Sequence, residues 1–339
     1  MKIGNIVNLE SIENFVDSLT GQFPEKLPGD WATTRNFADT YAGTILARQL
    51  TAVNPRIFEK KYPELALMLA GIEADNIGGY AQVIQSLRLI ELGGFTTSGD
   101  ASGNKGKISL SAEDNTLKVT GRETSTTWTT TEIKQAELNN INLPGRYIEA
   151  INKVYMREVD RIGLVGGIAL SGASKGLLNH SGFTASAAGA LLSTLNAQQM
   201  YDAYADLITN QRNAVNNTPE YSCNRVITPV RCINILAKTI LNTANASNIS
   251  VLNMLRQSFD VEFFGSFRAD TTGNGGDLVS SATVAFSNSP DVMAMRIPIP
   301  LTIGEVIRVG SFDFKTDAMY RIAGLDVLED TGGRIYTGL

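Results

Sequence analysis

The sequence predicts an α+β fold, and three features carry the prediction. A long amphipathic helix starts near Pro144 and stops at Gly166-Gly167, in the middle of the chain. Upstream of it, Gly/Ser/Thr-rich segments alternate apolar and polar residues with the period of two that a half-buried strand requires. Downstream, helical patterns are followed by strand-like runs, an order that packs helices on an antiparallel sheet.

Composition sets the bounds. With 339 residues, 43% hydrophobic and 19% charged, the chain has the length for two domains and the apolar content for a substantial core. Its formal charge of -5 argues against a broad basic face that grips nucleic acid, because Lys and Arg contacts to phosphate supply most non-specific affinity. Arg56, Lys60 and Lys61 form the one compact basic cluster. No apolar run approaches the roughly 20 residues of a membrane helix, and the opening residues do not resemble a signal peptide. A protein made in a cytosol and not embedded in a membrane is expected.

Each element has its own reason. Ile12, Phe15, Val16 and Leu19 put four apolar groups on one face of a short helix, which Pro24, Pro28 and Gly29 stop. Residues 33–50 are again helix-compatible, and an amphipathic arm with so little apolar area gains most by packing on another body. Segments 83–92 and 107–120 flank a Gly/Ser/Asn tract at 96–106 and read as a long β-hairpin, which needs other strands or a partner chain for support. Trp128 sits in a β-favouring threonine run that leads into helix-compatible 132–142.

In the central helix Pro144 suits the first helical position, Asn142 can cap free amides, and Ile148, Ile151, Tyr155, Val159 and Ile162 recur as an apolar stripe. Arg146, Glu149, Lys153, Arg157, Glu158 and Arg161 lie on the other face, offering charge to solvent or to neighbouring subunits. Helices are then expected over 196–217, 230–241 and 250–259. Strands are expected over 222–229, 261–267, 283–288, 293–299 and 311–328, the last broken near Gly324.

The sequence offers no catalytic constellation. His180 is the single histidine and reads as a turn residue beside Asn179; no H-x-x-x-H or paired-cysteine spacing supplies a partner for a triad or a metal. Gly167 to Ser174 has the outline of a phosphate loop, but Ala173 stands where lysine would reach the phosphates, so the segment reads as a small-residue turn. Cys223 and Cys232 read as buried thiols. No catalytic, cofactor-binding or metal-ligating residue is assigned, and no cofactor is expected.

Several phrases, ordered along the chain, carry a family resemblance: Ala47-Arg48-Gln49-Leu50, Tyr62-Pro63-Glu64-Leu65, Glu158-Val159-Asp160-Arg161-Ile162, the Gly166 turn and Gly176-Leu177-Leu178-Asn179-His180. Ser250-Val251-Leu252-Asn253-Met254-Leu255 and Pro290-Asp291-Val292-Met293 through Ile297-Pro298 continue it. From about residue 40 to the end the sequence resembles the major capsid proteins of tailed bacteriophages. Their Hong Kong 97-type fold is shared with encapsulins, and within it the chain is similar to an encapsulin-related coat-protein family.

The resemblance implies an architecture: an N-terminal arm over 1–60, an E-loop region with the start of a P-domain over 61–130, and a P-domain with a spine helix over 131–195. An A-domain over 196–290 and C-terminal strands over 291–339 returning to the P-domain would complete it. It also implies a non-enzymatic coat protein that self-assembles through hexamers and pentamers into an icosahedral head shell around double-stranded DNA, held by weak non-specific contact. Portal and scaffold proteins and a decoration protein would be its partners, and it would reside in the virion after assembly in the host cytoplasm. An encapsulin-like nanocompartment shell subunit is the alternative. In some relatives a hairpin lysine is joined to an asparagine under the influence of a glutamate. Lys105 and Lys107 lie in the corresponding loop, and with Arg146, Arg157 and Arg161 they are the candidate inter-subunit contacts.

Overall fold

Caps and side-chain period set where each element begins and ends. A computed structural model of the chain describes residues 65–94, 107–138, 141–167, 175–241 and 249–338, all within one compact unit, Lys61–Leu339. The expected helices of the arm, the hairpin tip at 96–106 with Lys105, and most of the 167–174 turn lie outside the described residues.

The described chain starts with a short helix α1 (Ala66–Leu69) and strand β1 (Ala74–Asp75). The hairpin strands β2 (Val83–Gly93) and β3 (Ile108–Lys118) follow, then strand β4 (Thr120–Thr129). Helix α2 (Thr130–Glu137) opens with a reciprocal capping box, in which the Glu132 N–H donates to Thr129 Oγ1 and the Thr129 N–H donates to the Glu132 carboxylate. The spine helix α3 (Leu143–Val165) is capped by Asn142, which accepts from the Gly145 N–H at 3.2 Å. Leu143 takes the first helical position and Pro144 the second, where a missing N–H is equally harmless because the first amides have no intrahelical partner.

Beyond the spine come β5 (Thr184–Ala187), α4 (Ala197–Ala214), β6 (Arg225–Pro229), α5 (Val230–Lys238), the short strands β7 (Ile240–Leu241) and β8 (Ile249–Ser250), and α6 (Val251–Phe259). Strands β9 (Glu262–Ser266), β10 (Ala282–Phe286), β11 (Met293–Arg296), β12 (Ile299–Ile303), β13 (Ile307–Arg308), β14 (Asp313–Ile322), β15 (Gly324–Val327) and β16 (Gly333–Thr337) complete the chain.

Two bodies of packing result. In the first, the five-stranded sheet β5-β16-β10-β6-β9 carries helices α4, α5 and α6, and Tyr204, Leu207, Ile208, Leu236 and Leu255 fill the space between. This sheet is mixed, not antiparallel as expected, because the connection from β6 to β9 runs through α5 and α6 and returns the chain in its original direction. In the second, β4 pairs along its whole length with β14, and the spine helix lies across them: Trp128 stacks on Tyr147 at 5.4 Å and Tyr155 meets Tyr320 edge-on at 4.9 Å. Strand β15 leaves this sheet to join β11 and β1. The break falls at Ala323, and Gly324, at φ +103°, supplies the turn that changes sheets. The strands after residue 291 therefore do not stay together, since β16 enters the five-stranded sheet between β5 and β10.

The spine is asymmetric along its length. Its first half buries only Ile151, and Ile148, expected on the apolar stripe, is 39% exposed. Its second half is buried almost all round, at Val159, Asp160, Ile162, Gly163 and Leu164. Gly163 is required there, because a Cβ would lie 2.3 Å from the Leu67 side chain of α1. Asp160, 1% exposed, accepts from the Leu67 N–H at 3.0 Å and from Arg268 Nε at 2.8 Å. Arg268 in turn donates to Asp277 and to the carbonyl of Arg157. Removing one partner of such a pair strands a buried charge, so Asp160→Ala is expected to lower stability by about 3–5 kcal/mol in a denaturant titration. A loss within the ~1 kcal/mol of an exposed ion pair would show that the joint is not held this way.

Candidate assembly surfaces

The hairpin is a two-stranded ribbon with no third strand among the described residues. Eleven cross-strand pairs run from Val83 opposite Lys118 to Gly93 opposite Ile108. Directly opposed residues share a face. On the inner face the first pair, Ile84 with Leu117, packs on Val119 and Ala323. The next pair, Ser86 with Asn115, reaches the buried carboxylate of Asp326, and the third brings Arg88 to Glu329 at 2.7 Å. The outer face is different in kind: Leu87, Leu89, Leu110 and Ile108 are 61%, 64%, 69% and 65% exposed. A ribbon of two strands has no means of burying such a row by itself.

A second apolar edge lies at the end of the β4/β14 sheet, where Val306, Ile307, Val309 and Phe312 are all exposed. Its backbone is tied down, since the N–H and hydroxyl of Thr130 both donate to the Phe312 carbonyl. Sequence reasoning missed this edge; the only available signal was the apolar spacing of Val306, Ile307 and Val309 in a stretch rich in Gly and Ser.

The candidate contact residues fall in different settings. Lys107 is exposed at the outer end of the hairpin ladder, and Lys105 lies outside the described residues. Arg146 is exposed and pairs with Glu149 at 3.3 Å. Arg157 and Arg161 are half-buried. The second half of the spine runs into the body, and Arg157 Nε donates to the Lys153 carbonyl one turn earlier in the same helix. Arg161 Nε has no hydrogen-bond partner among the described residues. At 100° per residue, Arg146, Arg157 and Arg161 still fall within about 60° on one side of the helix. Glu158, read as surface charge, pairs with Arg122 on β4 at 2.8 Å.

His180 behaves as a turn residue. Its Nδ1 accepts from the Gly182 N–H at 3.2 Å, and burial lowers its pKa, opposed by the nearby Asp330 carboxylate. It borders a cleft of about 220 Å³ beside the hairpin root, with Arg88, Glu113 and Asp330. Cys223 and Cys232 are both buried free thiols; burial pushes Cys223 up to about 11 and raises Cys232 as well. Among the described residues no group of three or more His, Cys, Asp or Glu is arranged to hold a metal ion, and no helix is long and apolar enough to cross a membrane.

A subunit that projects an apolar ribbon and a second apolar edge from an otherwise well-packed body is built to be covered by partners, as a shell-building subunit is. Residues 100–336 match the family described as "Major capsid protein". The structure "The capsid of Myoviridae Phage XM1" contains a chain 40% identical to this one, with a TM-score of 0.76, over 86% of this chain and 98% of that one. The fold is shared with a chain of Mycobacterium phage Ogopogo at 16% identity and a TM-score of 0.58, over 87% of this chain and 98% of that one. It is shared also with a chain from the capsid of a native GTA particle at 10% identity and a TM-score of 0.61, over the same shares of the two chains. No curated protein matches the chain. The chain belongs to the major capsid protein family: it has the Hong Kong 97-type fold and is a tailed-phage coat protein of the head shell.

Two outcomes test these surfaces. Leu89→Glu combined with Leu110→Glu should leave the melting of the subunit within about 0.5 kcal/mol of the parent, as exposed substitutions do, while sedimentation shows loss of assembled material. Both thiols should stay unreactive toward a disulfide reagent at pH 8 in the native subunit and react fully once it is denatured, because the thiolate is the reactive form and burial opposes it.

Proposed function

We propose that this chain assembles through hexamers and pentamers into an icosahedral shell that encloses the double-stranded DNA of a tailed bacteriophage. The outer face of the hairpin carries the proposal. Four large apolar side chains stand in water on one subunit, and burying each fully is worth roughly 1.5–3 kcal/mol, so a neighbouring copy that covers them gains substantially. A closed shell needs heterologous edges of this kind, and several modest contacts per subunit act together.

In this reading the hairpin is the E-loop, the spine helix with the β4/β14 sheet is the heart of the P-domain, and the five-stranded sheet with its three helices is the core of the A-domain. Residues 1–60 are the N-terminal arm. Lys105, Lys107, Arg146, Arg157 and Arg161 are proposed to meet neighbouring subunits. The protein has a structural and not a catalytic role, and its mild negative charge suits a container whose DNA is touched weakly and must slide during filling. Portal and scaffold proteins and a decoration protein are proposed partners, with assembly in the host cytoplasm. The 40% identity to a phage capsid chain favours the phage shell over a nanocompartment.

Light scattering and negative-stain imaging of the purified chain test the proposal. Capsomers or closed shells are expected as concentration rises or scaffold protein is added. A monomer that persists across all concentrations, with and without scaffold, overturns it.

A further inference from the structure

We propose that a polar clasp at the hairpin root, formed by Ser86 and Asn115 on the buried carboxylate of Asp326, aims the hairpin and so positions it for assembly. The inference rests on the assembly role proposed above. Ser86 and Asn115 stand directly opposite each other in the ladder, and each takes one oxygen of the same carboxylate. The Ser86 hydroxyl donates to Oδ2 at 2.5 Å and Asn115 Nδ2 donates to Oδ1 at 2.8 Å. Asp326 is fully buried and is itself held from behind by Arg296 Nε at 3.0 Å, on β11, while Arg296 also pairs with Asp75 on β1. The carboxylate is therefore a fixed point of the body, and a grip on both strands at one rung restrains tilt and twist together.

Asn115 Nδ2 also reaches the Val327 carbonyl at 3.4 Å and the Val119 N–H donates to the Gln82 carbonyl at 2.9 Å, but neither bond grips both hairpin strands on one group of the body. The Ile84, Leu117, Val119 and Ala323 contact is apolar, and apolar burial does not fix an angle. Arg88 to Glu329 is a strut with the arginine side chain 37% exposed, of the kind that contributes little on its own. The cleft of about 220 Å³ beside these residues leaves room for the ribbon to rock if the clasp is lost. Seven residues separate Ser86 from Gly93, a span of roughly 24 Å at the rise of an antiparallel strand. A root error of about 10° would then carry the outer end roughly 4 Å, a shift as large as the ~4.0–4.5 Å separation at which apolar side chains touch.

The test uses the full chain as unassembled subunits, spin-labelled through Ser111→Cys on the hairpin and Glu220→Cys on the body, both exposed positions. Cys223→Ser and Cys232→Ser, or burial of the native thiols in the folded subunit, keep the label to the two introduced positions. The parent should give one narrow distance distribution. Ser86→Ala with Asn115→Ala should broaden it at least twofold and lower the yield of sedimenting shells at least tenfold, with the subunit still folded and melting cooperatively. Ser86→Thr, which keeps the hydroxyl, should restore both readouts in the serine single variant. An unchanged width overturns the clasp. A broadened distribution with normal shell yield overturns the role of aim in assembly while leaving the clasp intact, and failure of the parent itself to form shells sinks the assembly reading instead. Ser86→Ala alone, which leaves Asp326 bonded to Arg296 and Asn115, carries the same comparison should the double variant not fold.

Discussion

The joint around Asp160 is the constraint on which the rest of the subunit depends. One carboxylate, near the end of a 23-residue helix, accepts from the backbone of α1 and from an arginine in the loop after β9. Three pieces of chain that share no continuous strand or helix are brought to a single point. Burial makes the joint specific, because an unpaired charge there is expensive and each alternative packing would strand it. The same burial forces the helix to be two things at once, an embedded strut beyond Val159 and a half-exposed rod before it.

Asp326 repeats the device at the root of the hairpin. It too is a buried acid backed by an arginine on a neighbouring strand, and it too receives donors from an element that leaves the body. In both places polar bonds fix the angle of a projecting or crossing element, while apolar burial supplies the bulk of cohesion without fixing direction. This division lets the subunit leave leucines exposed on the hairpin. The ribbon does not need them for its own attachment, and they remain free to be covered from outside.

Much of the fold was legible because its determinants are local. The hairpin register follows from two alternating runs around a Gly/Ser/Asn tract, the capping of the spine from Asn142, and the switch of sheets from Gly324. What was not legible depends on distance. Asp160 reads as one more charge on an amphipathic helix, because its partners Leu67 and Arg268 lie 93 and 108 residues away. Asp326 and Ser86 are 240 residues apart. The parallel pairs of the five-stranded sheet were hidden for the same reason: strand direction is set by how many elements intervene, not by the alternation within a strand. Ile148 fits the apolar stripe by spacing alone, but it is 39% exposed, while its neighbour Tyr147 stacks on Trp128. Arg157 and Arg161 are half-buried where Lys107 and Arg146 are exposed, because the burial of the second half of the spine is a tertiary effect.

An exposed two-stranded ribbon is also a hazard, with two open edges and an apolar row on one face. Its sequence limits the hazard from within. On the outer face Leu87 stands opposite Asp114 and Leu110 opposite Glu91, so carboxylates interrupt the apolar row at two rungs, while Leu89 faces Ala112. Asp114 accepts from the Gln85 amide at 2.7 Å, which keeps that charge in place on the face. A chance apolar strand laid on this surface would bury both carboxylates, Glu91 with no donor from that strand, at a cost that offsets part of what covering the leucines contributes. A partner surface must match apolar and charged positions together. The exposed leucines supply the drive to associate and the interleaved acids restrict with whom, which is how a subunit that depends on being covered avoids being covered by the wrong chain.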